Sequence, residues 1–261
     1  MQQRPADPGG HRWLALGEEA LPPDERWLGP AEAATLAGLR YTKRRTEYLL
    51  RRLVTKHAVA SVTGRSTDPA TLAGIEVRNA PSGAPYLCVD GVAVELGVSI
   101  TDRAGWAVCV TSPTGPLAVG CDLELVEPRS RGFVCDFLTT AEQRLVGSCA
   151  AGDERDAIAN LIWSAKESAL KVLGTGLRRD TRTLEVTFNA PHAAPRHDGW
   201  GALTVRAVEG SVFPGWWRRE GQFLLTVATR VAAAAPVALG HPQVLALAAP
   251  RHSWLDRPLY P

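Results

Sequence analysis

Two short stretches of the sequence carry side chains that could act on a phosphate. One is a Lys-Glu-x-x-x-Lys pattern, made by Lys166, Glu167 and Lys171, and the other is the pair Asp122 and Glu124. Residues two apart on a strand share a face, so the two acids would point the same way and repel unless a cation lies between them. Carboxylate oxygens suit Mg²⁺, which commonly takes one or two of them together with waters and substrate phosphates.

Each stretch alone also has an ordinary explanation. Glu167 and Lys171 could be an exposed i,i+4 ion pair on a helix, and Asp122 and Glu124 could be acids on a strand edge. A third carboxylate flanked by lysines changes the balance, because acids at a phosphate site make sense only with a metal. Together the two stretches favour a metal–phosphate site.

A helix is predicted for the segment that carries Glu167. At about 100° per residue, one face is apolar and the opposite face carries the polar side chains. Gly174 and Gly176 predict its C-terminal end. The predicted core face is Ile158, Ile162, Ala165, Ala169, Val172 and Leu173, and the predicted outer face is Trp163, Lys166, Glu167, Leu170 and Lys171.

Strands are predicted on both sides of this helix. Residues 106–110 and 117–119 are predicted to form a hairpin through the turn at 112–116, which leads into Asp122. Residues 183–188 alternate as a strand. Residues 203–208 and 222–229 are predicted to form a second hairpin, with Trp216 and Trp217 on its connection.

The two motifs together resemble a known family. Gly120-Cys121-Asp122-Leu123-Glu124, followed by Trp163-Ser164-Ala165-Lys166-Glu167-Ser168-Ala169-Leu170-Lys171, is similar to the paired signatures of the 4'-phosphopantetheinyl transferase superfamily. The closer match is its Sfp-like class of secondary metabolism, which serves polyketide, nonribosomal peptide and fatty acid synthesis. The resemblance extends over residues 27–230, and the pair of motifs is specific where either alone would be weak.

This resemblance implies an α+β fold that is a pseudo-dimer of two similar halves. Each half would be a small, mostly antiparallel sheet packed on a long helix, with the active site between them. Residues 1–117 would form the N-terminal half, with the coenzyme A phosphate contacts. Residues 118–261 would form the C-terminal half, with the Mg²⁺-binding and catalytic residues and an Ala/Pro-rich tail.

The implied reaction transfers the 4'-phosphopantetheine arm of coenzyme A to a serine of an acyl or peptidyl carrier protein and releases adenosine 3',5'-bisphosphate. Asp122, Glu124 and Glu167 would hold Mg²⁺. Glu167, directly or through a water, would accept the serine proton. Lys166 and Lys171 would neutralise charge on the bridging phosphate oxygens.

A second predicted helix, residues 42–61, has five cations in a basic arc beside its apolar stripe, namely Arg44, Arg45, Arg51, Arg52 and Lys56. They could form a solubilising face, with Glu47 and Arg51 as a surface pair, or an anion site that offsets their mutual repulsion. The resemblance assigns Arg44 and Arg52 to the coenzyme A 3'-phosphate, and Arg45 and Lys56 are further candidates.

The turn at 79–86 and the strand after it complete the implied coenzyme A site. Ser82, Gly83, Ala84 and Pro85 would approach the nucleotide by their backbone, although Ala84 stands where a lysine is frequent. Thr101 matches the family pattern.

Asp102 stands where the family usually has a histidine, and an ionised aspartate cannot donate a hydrogen bond to a phosphate. Asp102 could pair with Arg103 or a helix arginine, which would then contact the phosphate. The phosphate pocket could instead be rearranged, or coenzyme A binding could be impaired. The first outcome is preferred because the other motif residues are intact and Arg103 is adjacent in the sequence.

Two further sites stay open or are set aside at this stage. Glu142 could be a functional acid near the carrier-protein surface or the partner of Thr139 in a capping box, and the two interpretations are about even. His192 and His197 lie in a polar loop and are expected to be exposed to solvent rather than to bind a metal.

Composition limits the remaining classes. The 261 residues carry a net charge of +2, with 45% hydrophobic and 21% charged residues, which is ordinary for a soluble globular protein. Five cysteines without a C-x-x-C motif argue against a disulfide framework or a zinc site. We expect a cytoplasmic monomer without nucleic-acid or membrane partners. The alternatives are a diverged paralogue with another acceptor or little activity and a module that binds nucleic-acid phosphates through the basic helix.

Overall fold

The computed structural model describes residues 10–188, 199–252 and 255. Within them the chain forms a mixed α+β fold, as predicted, and it has six α-helices. The helices are α1 (Pro30–Ala37), α2 (Thr42–Thr63), α3 (Pro69–Ala73), α4 (Arg131–Phe137), α5 (Thr140–Ser148) and α6 (Asp153–Leu173). The strands are β1 (Arg12–Gly17), β2 (Ile75–Asn79), β3 (Pro85–Val89), β4 (Val92–Val94), β5 (Gly97–Arg103), β6 (Trp106–Ser112), β7 (Val119–Leu125), β8 (Leu184–Phe188), β9 (Gly201–Ala207), β10 (Val212–Glu220), β11 (Phe223–Thr229) and β12 (Val237–Ala238).

The strand order is similar in the two parts of the chain. The first part has a four-stranded sheet in the order β12-β1-β6-β5 and a separate β2-β3-β4 sheet, and the second has one sheet in the order β7-β11-β10-β9-β8. The order β1-β6-β5 thus corresponds to β7-β11-β10, and β2-β3 corresponds to β8-β9. All pairings are antiparallel except β1 with β12. This correspondence supports the predicted pair of similar halves.

Both predicted hairpins are wrong. β6 pairs with β1 and β5, whereas β7 pairs with β11, so the turn between β6 and β7 crosses from one sheet to the other. Leu117 makes this crossing in the left-handed region, with φ 58°. In the second half β10 lies between β9 and β11, and Trp216 and Trp217 belong to this strand rather than to a connection.

Each half packs its long helix on one face of its sheet. α2 covers β1 and β6, and α6 covers β7 and β11. Both helices end at a glycine in the left-handed region, Gly64 with φ 67° and Gly174 with φ 69°. A glycine takes this conformation without the steric cost of a side chain, so the helix stop predicted at Gly174 is confirmed.

The other faces of the two sheets share a core. On β6, Ala107 and Cys109 pack toward α2, whereas Val108 and Val110 pack into a central cluster with Val119 and other residues of the second half. All seven residues of β11 are buried. Burial on both faces explains why these strands are continuous apolar runs rather than alternating ones.

The C-terminal tail returns to the first half, although the sequence placed it in the second. β12 lies parallel to β1, and the amide of Leu239 donates to the Trp13 carbonyl at 2.8 Å. Further along, the Arg251 amide donates to the Ala104 carbonyl at 3.0 Å.

Three sequence expectations concern the rest of the chain. Four of the five cysteines are buried and Cys135 is exposed, and all five are free thiols. Across residues 10–188 and 199–252, no helix is long and apolar enough to cross a membrane. His192 and His197 lie outside the described residues.

Candidate active site

The motif strand and the motif helix touch backbone to backbone. A Cβ atom placed on Gly120 of β7 would lie 1.9 Å from the carbonyl oxygen of Ser168 on α6. The hydroxyl of Ser164 also donates to the Asp122 carbonyl at 3.2 Å. Glycine is therefore the residue that lets β7 and α6 approach so closely.

Lys171 and Asp122 meet across this contact. The Lys171 ammonium donates to the Cys121 carbonyl at 2.7 Å and to Oδ1 of Asp122 at 3.1 Å. Burial alone would lower the pKa of Lys171, but Asp122 and other nearby negative groups outweigh burial and raise this pKa. Lys171 is thus a protonated cation, and 31% of its side chain remains exposed to a ligand.

Asp122 lies at the junction of the two halves. From β5 of the first half, the Thr101 hydroxyl donates to Oδ1 of Asp122 at 3.3 Å and accepts from the Leu123 amide at 3.1 Å. Thr101 was predicted to contact coenzyme A, but the structure commits its hydroxyl to Asp122 and β7. The other carboxylate oxygen, Oδ2 of Asp122, is buried without a hydrogen-bond partner in the described residues.

Glu167 has a second such oxygen. Its Oε1 is buried and no described residue donates to it. Burial, then repulsion from Asp122 and Glu124, raises the pKa of Glu167 to about 7, although Lys171 opposes this change. Each of these two carboxyl groups keeps one buried oxygen without a donor, and a cation or a proton between them would relieve their repulsion.

Glu124 is different because arginines already surround it. Arg129 donates to Oε2 of Glu124 at 3.0 Å, Arg103 lies 3.3 Å from the same atom, and the Trp163 indole donates to Oε1 at 3.1 Å. The pKa of Glu124 is raised, because burial and the charge of Asp122 outweigh the two arginines, which act to lower it. Arg103 therefore pairs with Glu124 and Glu127 and not with Asp102.

The hydrogen-bond partners of the three predicted acids decide which of them could hold Mg²⁺. In the described part of the chain, no three His, Cys, Asp or Glu side chains are arranged so that they could hold a metal ion. Asp122 and Glu167 nevertheless fit Mg²⁺ by chemistry, because each keeps a buried oxygen that lacks a donor. One or two carboxylates are the protein share that Mg²⁺ commonly takes when a substrate supplies phosphates. Glu124 would need to leave Arg129 to join them.

A cleft of about 280 Å³ opens beside Lys171. It lies between the halves, since α2, the turn at 79–85 and β5 come from the first half and the end of α6 from the second. Most of the residues that were predicted to bind coenzyme A line this cleft. The full lining is Arg51, Arg52, Asn79, Ser82, Gly83, Ala84, Pro85, Val98, Ser99, Ile100, Leu117, Val119, Leu170, Lys171, Gly174 and Gly176.

Residues of the turn at 79–85 line this cleft, and hydrogen bonds within the turn hold its shape. Asn79 Nδ2 donates to the Gly83 carbonyl at 2.9 Å, and the Gly83 amide donates to the Ala80 carbonyl at 2.8 Å. Gly83 has φ 91°, which only glycine adopts readily. From the second half, Arg178 donates to the Ser82 carbonyl at 3.4 Å, so the turn bridges both halves.

Arg51 and Arg52 reach the cleft from α2. Arg52 is buried, stacks on Tyr48 with 4.5 Å between its guanidinium carbon and the ring centre, and donates to Asn79 at 3.2 Å. Arg51 binds Asp102 at 2.5 Å, which confirms that Asp102 pairs with a helix arginine. A surface pair of Arg51 with Glu47 was one of the two interpretations that the sequence left open. The uncompensated charge of Asp102 beside a phosphate site was the signal that it needed a cation.

The other cations of α2 do not form an exposed arc. Lys56 is fully buried, and Arg45 donates to the Leu36 carbonyl and to Glu25. Arg44 is exposed and does not line the cleft. The alternative of a nucleic-acid module depended on an exposed basic arc on this helix. The structure does not support that arc, because only some of the α2 cations face solvent.

Lys166 was predicted on the outer face of α6, and this placement is wrong. Its side chain is fully buried and donates to the Phe137 and Thr181 carbonyls, both at 3.1 Å. Its third partner is the Glu142 carboxylate, at 2.6 Å. Leu170 is fully buried as well. A lysine with three oxygen partners inside the protein has no free donor for a phosphate.

The same contacts settle the two interpretations of Glu142. Its carboxylate accepts from the Thr139 amide at 2.7 Å, and Thr139 accepts in return from the Glu142 amide at 3.3 Å. Glu142 is therefore the capping-box residue at the start of α5 as well as the partner of Lys166.

One comparison with known proteins bears on this arrangement. Residues 118–228 match a family model, described as the 4'-phosphopantetheinyl transferase superfamily. This segment is a domain of that superfamily. The matched segment begins just before β7 and ends within β11, so it contains Asp122, Glu167 and Lys171. No curated protein matches the chain.

Proposed function

We propose that this protein transfers the 4'-phosphopantetheine arm of coenzyme A to a serine of an acyl or peptidyl carrier protein. The serine oxygen forms a bond to the phosphorus that carries the pantetheine arm. The bond from that phosphorus to the bridging oxygen of the pyrophosphate breaks, and adenosine 3',5'-bisphosphate leaves. The observation that carries this proposal is the pair of buried oxygens of Asp122 and Glu167 that lack a donor, close to Lys171, which lines the cleft.

In this proposal the cleft takes the nucleotide end of coenzyme A. The backbone of Ser82 to Pro85 approaches the nucleotide, and Arg52 contacts the 3'-phosphate from α2. Arg51 also lines the cleft, and its bond to Asp102 keeps its guanidinium in place before the donor arrives. Arg51 therefore takes the phosphate-binding role that the family gives to a histidine.

Asp122 and Glu167 would hold Mg²⁺ against the pyrophosphate. When bound, the ion would neutralise negative charge on the phosphate oxygens. Lys171 adds a fixed positive charge on the same side, and Thr101 holds Asp122 in place from the other half. Phosphoryl transfer of this kind depends mostly on positioning and charge stabilisation, which these residues supply.

Glu167 would accept the proton of the attacking serine, directly or through a water. A general base works best when its pKa lies close to the working pH. The pKa of Glu167 is raised to about 7 by burial and by Asp122, in contrast to an ordinary glutamate. This pKa is that of the site without Mg²⁺, whose charge would lower it, so the proposal of Glu167 as the base rests on its position near Asp122 and Lys171.

The test is transfer of a fluorescent coenzyme A arm to a panel of acyl and peptidyl carrier proteins, with and without Mg²⁺. The parent protein should label at least one carrier in a Mg²⁺-dependent way. Asp122→Ala should lower kcat/KM by about 10²-fold or more, as expected when one charge-stabilising contact is lost.

Asp153→Ala is the matched control. Asp153 begins α6, is exposed and pairs with Arg219 far from the cleft, so its loss should leave transfer unchanged. An Asp122→Ala protein with the parent's turnover would refute the metal assignment. A parent that labels no carrier, despite binding coenzyme A, would point to the alternative of a diverged paralogue.

A further inference from the structure

Two buried lysine–glutamate pairs occupy matching places in the two halves. Lys56 lies on α2 and Lys166 on α6, and each side chain is fully buried. Each partner glutamate lies in the first turn of the short helix that precedes the long one. Glu32 precedes Lys56 by the same number of residues as Glu142 precedes Lys166. Nothing in the reaction proposed above uses either pair.

In the first half, Lys56 and Glu32 approach to 2.5 Å. Lys56 also donates to the Trp27 and Leu72 carbonyls, both at 2.9 Å. The carboxylate of Glu32 accepts from the Gly29 amide at 3.1 Å and from the Val77 amide at 2.9 Å. One pair thus joins the start of α1, the long helix α2 and the strand β2.

In the second half, Lys166 and Glu142 repeat this network. Lys166 donates to two carbonyls, those of Phe137 and Thr181, and Glu142 accepts from the amides of Thr139 and Val186 at 2.7 and 2.8 Å. The pair joins the start of α5, the long helix α6 and the strand β8. Burial lowers the pKa of both lysines, and the carboxylate partner opposes this change in each case.

Stability alone is a weak reason to bury such a pair. Two charges lose their hydration on burial, and apolar residues of similar volume often stabilise a protein as well or better. Hydrogen bonds to fixed carbonyl and amide groups, however, set the position and rotation of a helix more narrowly than apolar contacts do. Each long helix is held in this way next to the residues that face the cleft.

The two helices carry different parts of the proposed site. α2 carries Arg51 and Arg52, and Oε1 of Glu32 lies 3.7 Å from the Arg52 guanidinium. α6 carries Glu167 and Lys171, and Lys166 immediately precedes Glu167 in the chain. In the second half the position that matches Arg52 is Ile162, which is fully buried, so only the first pair contacts a cleft arginine.

We propose that the two pairs are twin positioning devices with separate tasks, Lys56–Glu32 for the helix that binds the donor and Lys166–Glu142 for the helix that carries Glu167. This inference rests on the proposed transfer function. It predicts that equal damage to the two pairs has unequal effects. Loss of the first pair should weaken coenzyme A binding, whereas loss of the second should weaken Mg²⁺ binding and slow turnover.

The experiment compares two neutral double variants, Lys56→Met with Glu32→Gln and Lys166→Met with Glu142→Gln. Calorimetry gives the dissociation constant of coenzyme A and, with coenzyme A present, that of Mg²⁺, and carrier labelling gives kcat at saturating coenzyme A. The first variant should bind coenzyme A about 10- to 100-fold more weakly with kcat nearly unchanged, a range typical of lost supporting contacts. The second should lose about as much in Mg²⁺ affinity and kcat while its coenzyme A affinity stays close to the parent's.

This crossed pattern separates positioning from general destabilisation, because both variants lose matching contacts, apart from the one between Glu32 and Arg52, and each serves as the control for the other. Equal losses in all three constants, or no loss in either variant, would overturn the inference. If a double variant does not fold, Lys56→Arg and Lys166→Arg replace it, because each keeps the positive charge but displaces the head group. The same crossed pattern of coenzyme A affinity, Mg²⁺ affinity and kcat is then expected. A parent that binds coenzyme A and Mg²⁺ but labels no carrier would refute the proposed function, and the two binding constants would still decide the inference.

Discussion

Gly120→Ala should inactivate the protein while leaving it folded. The added Cβ would lie 1.9 Å from the Ser168 carbonyl oxygen, whereas ordinary contact begins at 3.4 Å. The obstacle is helix backbone, which cannot rotate away as a side chain could. β7 and α6 would therefore have to separate by up to 1.5 Å, the difference between these two distances.

Such a separation acts on the residues that bridge the two elements. Lys171 lies 3.1 Å from Asp122, near the upper end of the hydrogen-bond range, so an opening of this size would break the contact. Displacement of catalytic groups by about 1 Å can cost about 10²-fold in rate. The crowding itself should destabilise the fold by about 1–3 kcal/mol, a part of the roughly 5–15 kcal/mol typical of a domain.

The assay is kcat/KM for carrier labelling, together with urea unfolding of the same preparation. Gly147→Ala is the control, because Gly147 also lies in a packed element, α5, yet nothing stands within 4 Å of its Cβ position. This control should keep full activity and gain about 0.5–1 kcal/mol from helix propensity. If Gly120→Ala retains activity within a few-fold of the parent, the close approach of β7 to α6 does not set the site geometry.

The remaining predictions concern charge. Burial raises the pKa of Glu167 from 4.5 to about 7. The parent should therefore lose stability relative to Glu167→Gln as the pH rises from about 4.5 to about 7, by up to about 3 kcal/mol. Urea unfolding at pH 5 and pH 8 measures most of this difference. A difference that does not change between the two pH values would contradict the buried, unpaired carboxyl. Arg52→Ala should weaken the binding of coenzyme A but hardly affect the binding of 3'-dephospho-coenzyme A. The control Arg44→Ala, on the exposed side of α2, should change neither affinity. Equal losses of affinity for both donors would show that Arg52 has a structural role. Arg51→Ala should reduce coenzyme A affinity more than Asp102→Ala, since the second variant leaves the arginine in place. Calorimetry measures both affinities. A larger loss of affinity in Asp102→Ala would show that Asp102 matters more than Arg51 for coenzyme A binding.

Periodicity and local motifs predicted the parts of the site that lie on one element. The long helix at residues 42–61 is observed as Thr42–Thr63, and the end of α6 falls at Gly174. Asp122 and Glu167 could be found because their spacing and neighbours are local features of the chain.

The failures arise where a partner is distant in sequence. A helical wheel places Lys166 outside because a charged side chain is normally hydrated, and only the carbonyls of Phe137 and Thr181 make its burial possible. β10 contains Pro214 and Gly215, which indicate a connection in a sequence pattern, yet the strand pairs on both sides. The pairing of Arg51 with Asp102 likewise depends on how α2 packs against β5.

The return of the tail to the first half affects how the molecule unfolds. Because β12 pairs with β1 and Arg251 reaches Ala104, the chain crosses between the halves twice, once at Leu117 and again after β11. Neither half can lose its structure without exposing strand edges and core surface of the other. The pair should therefore melt as one cooperative unit, with a single calorimetric transition, even though the strand orders repeat.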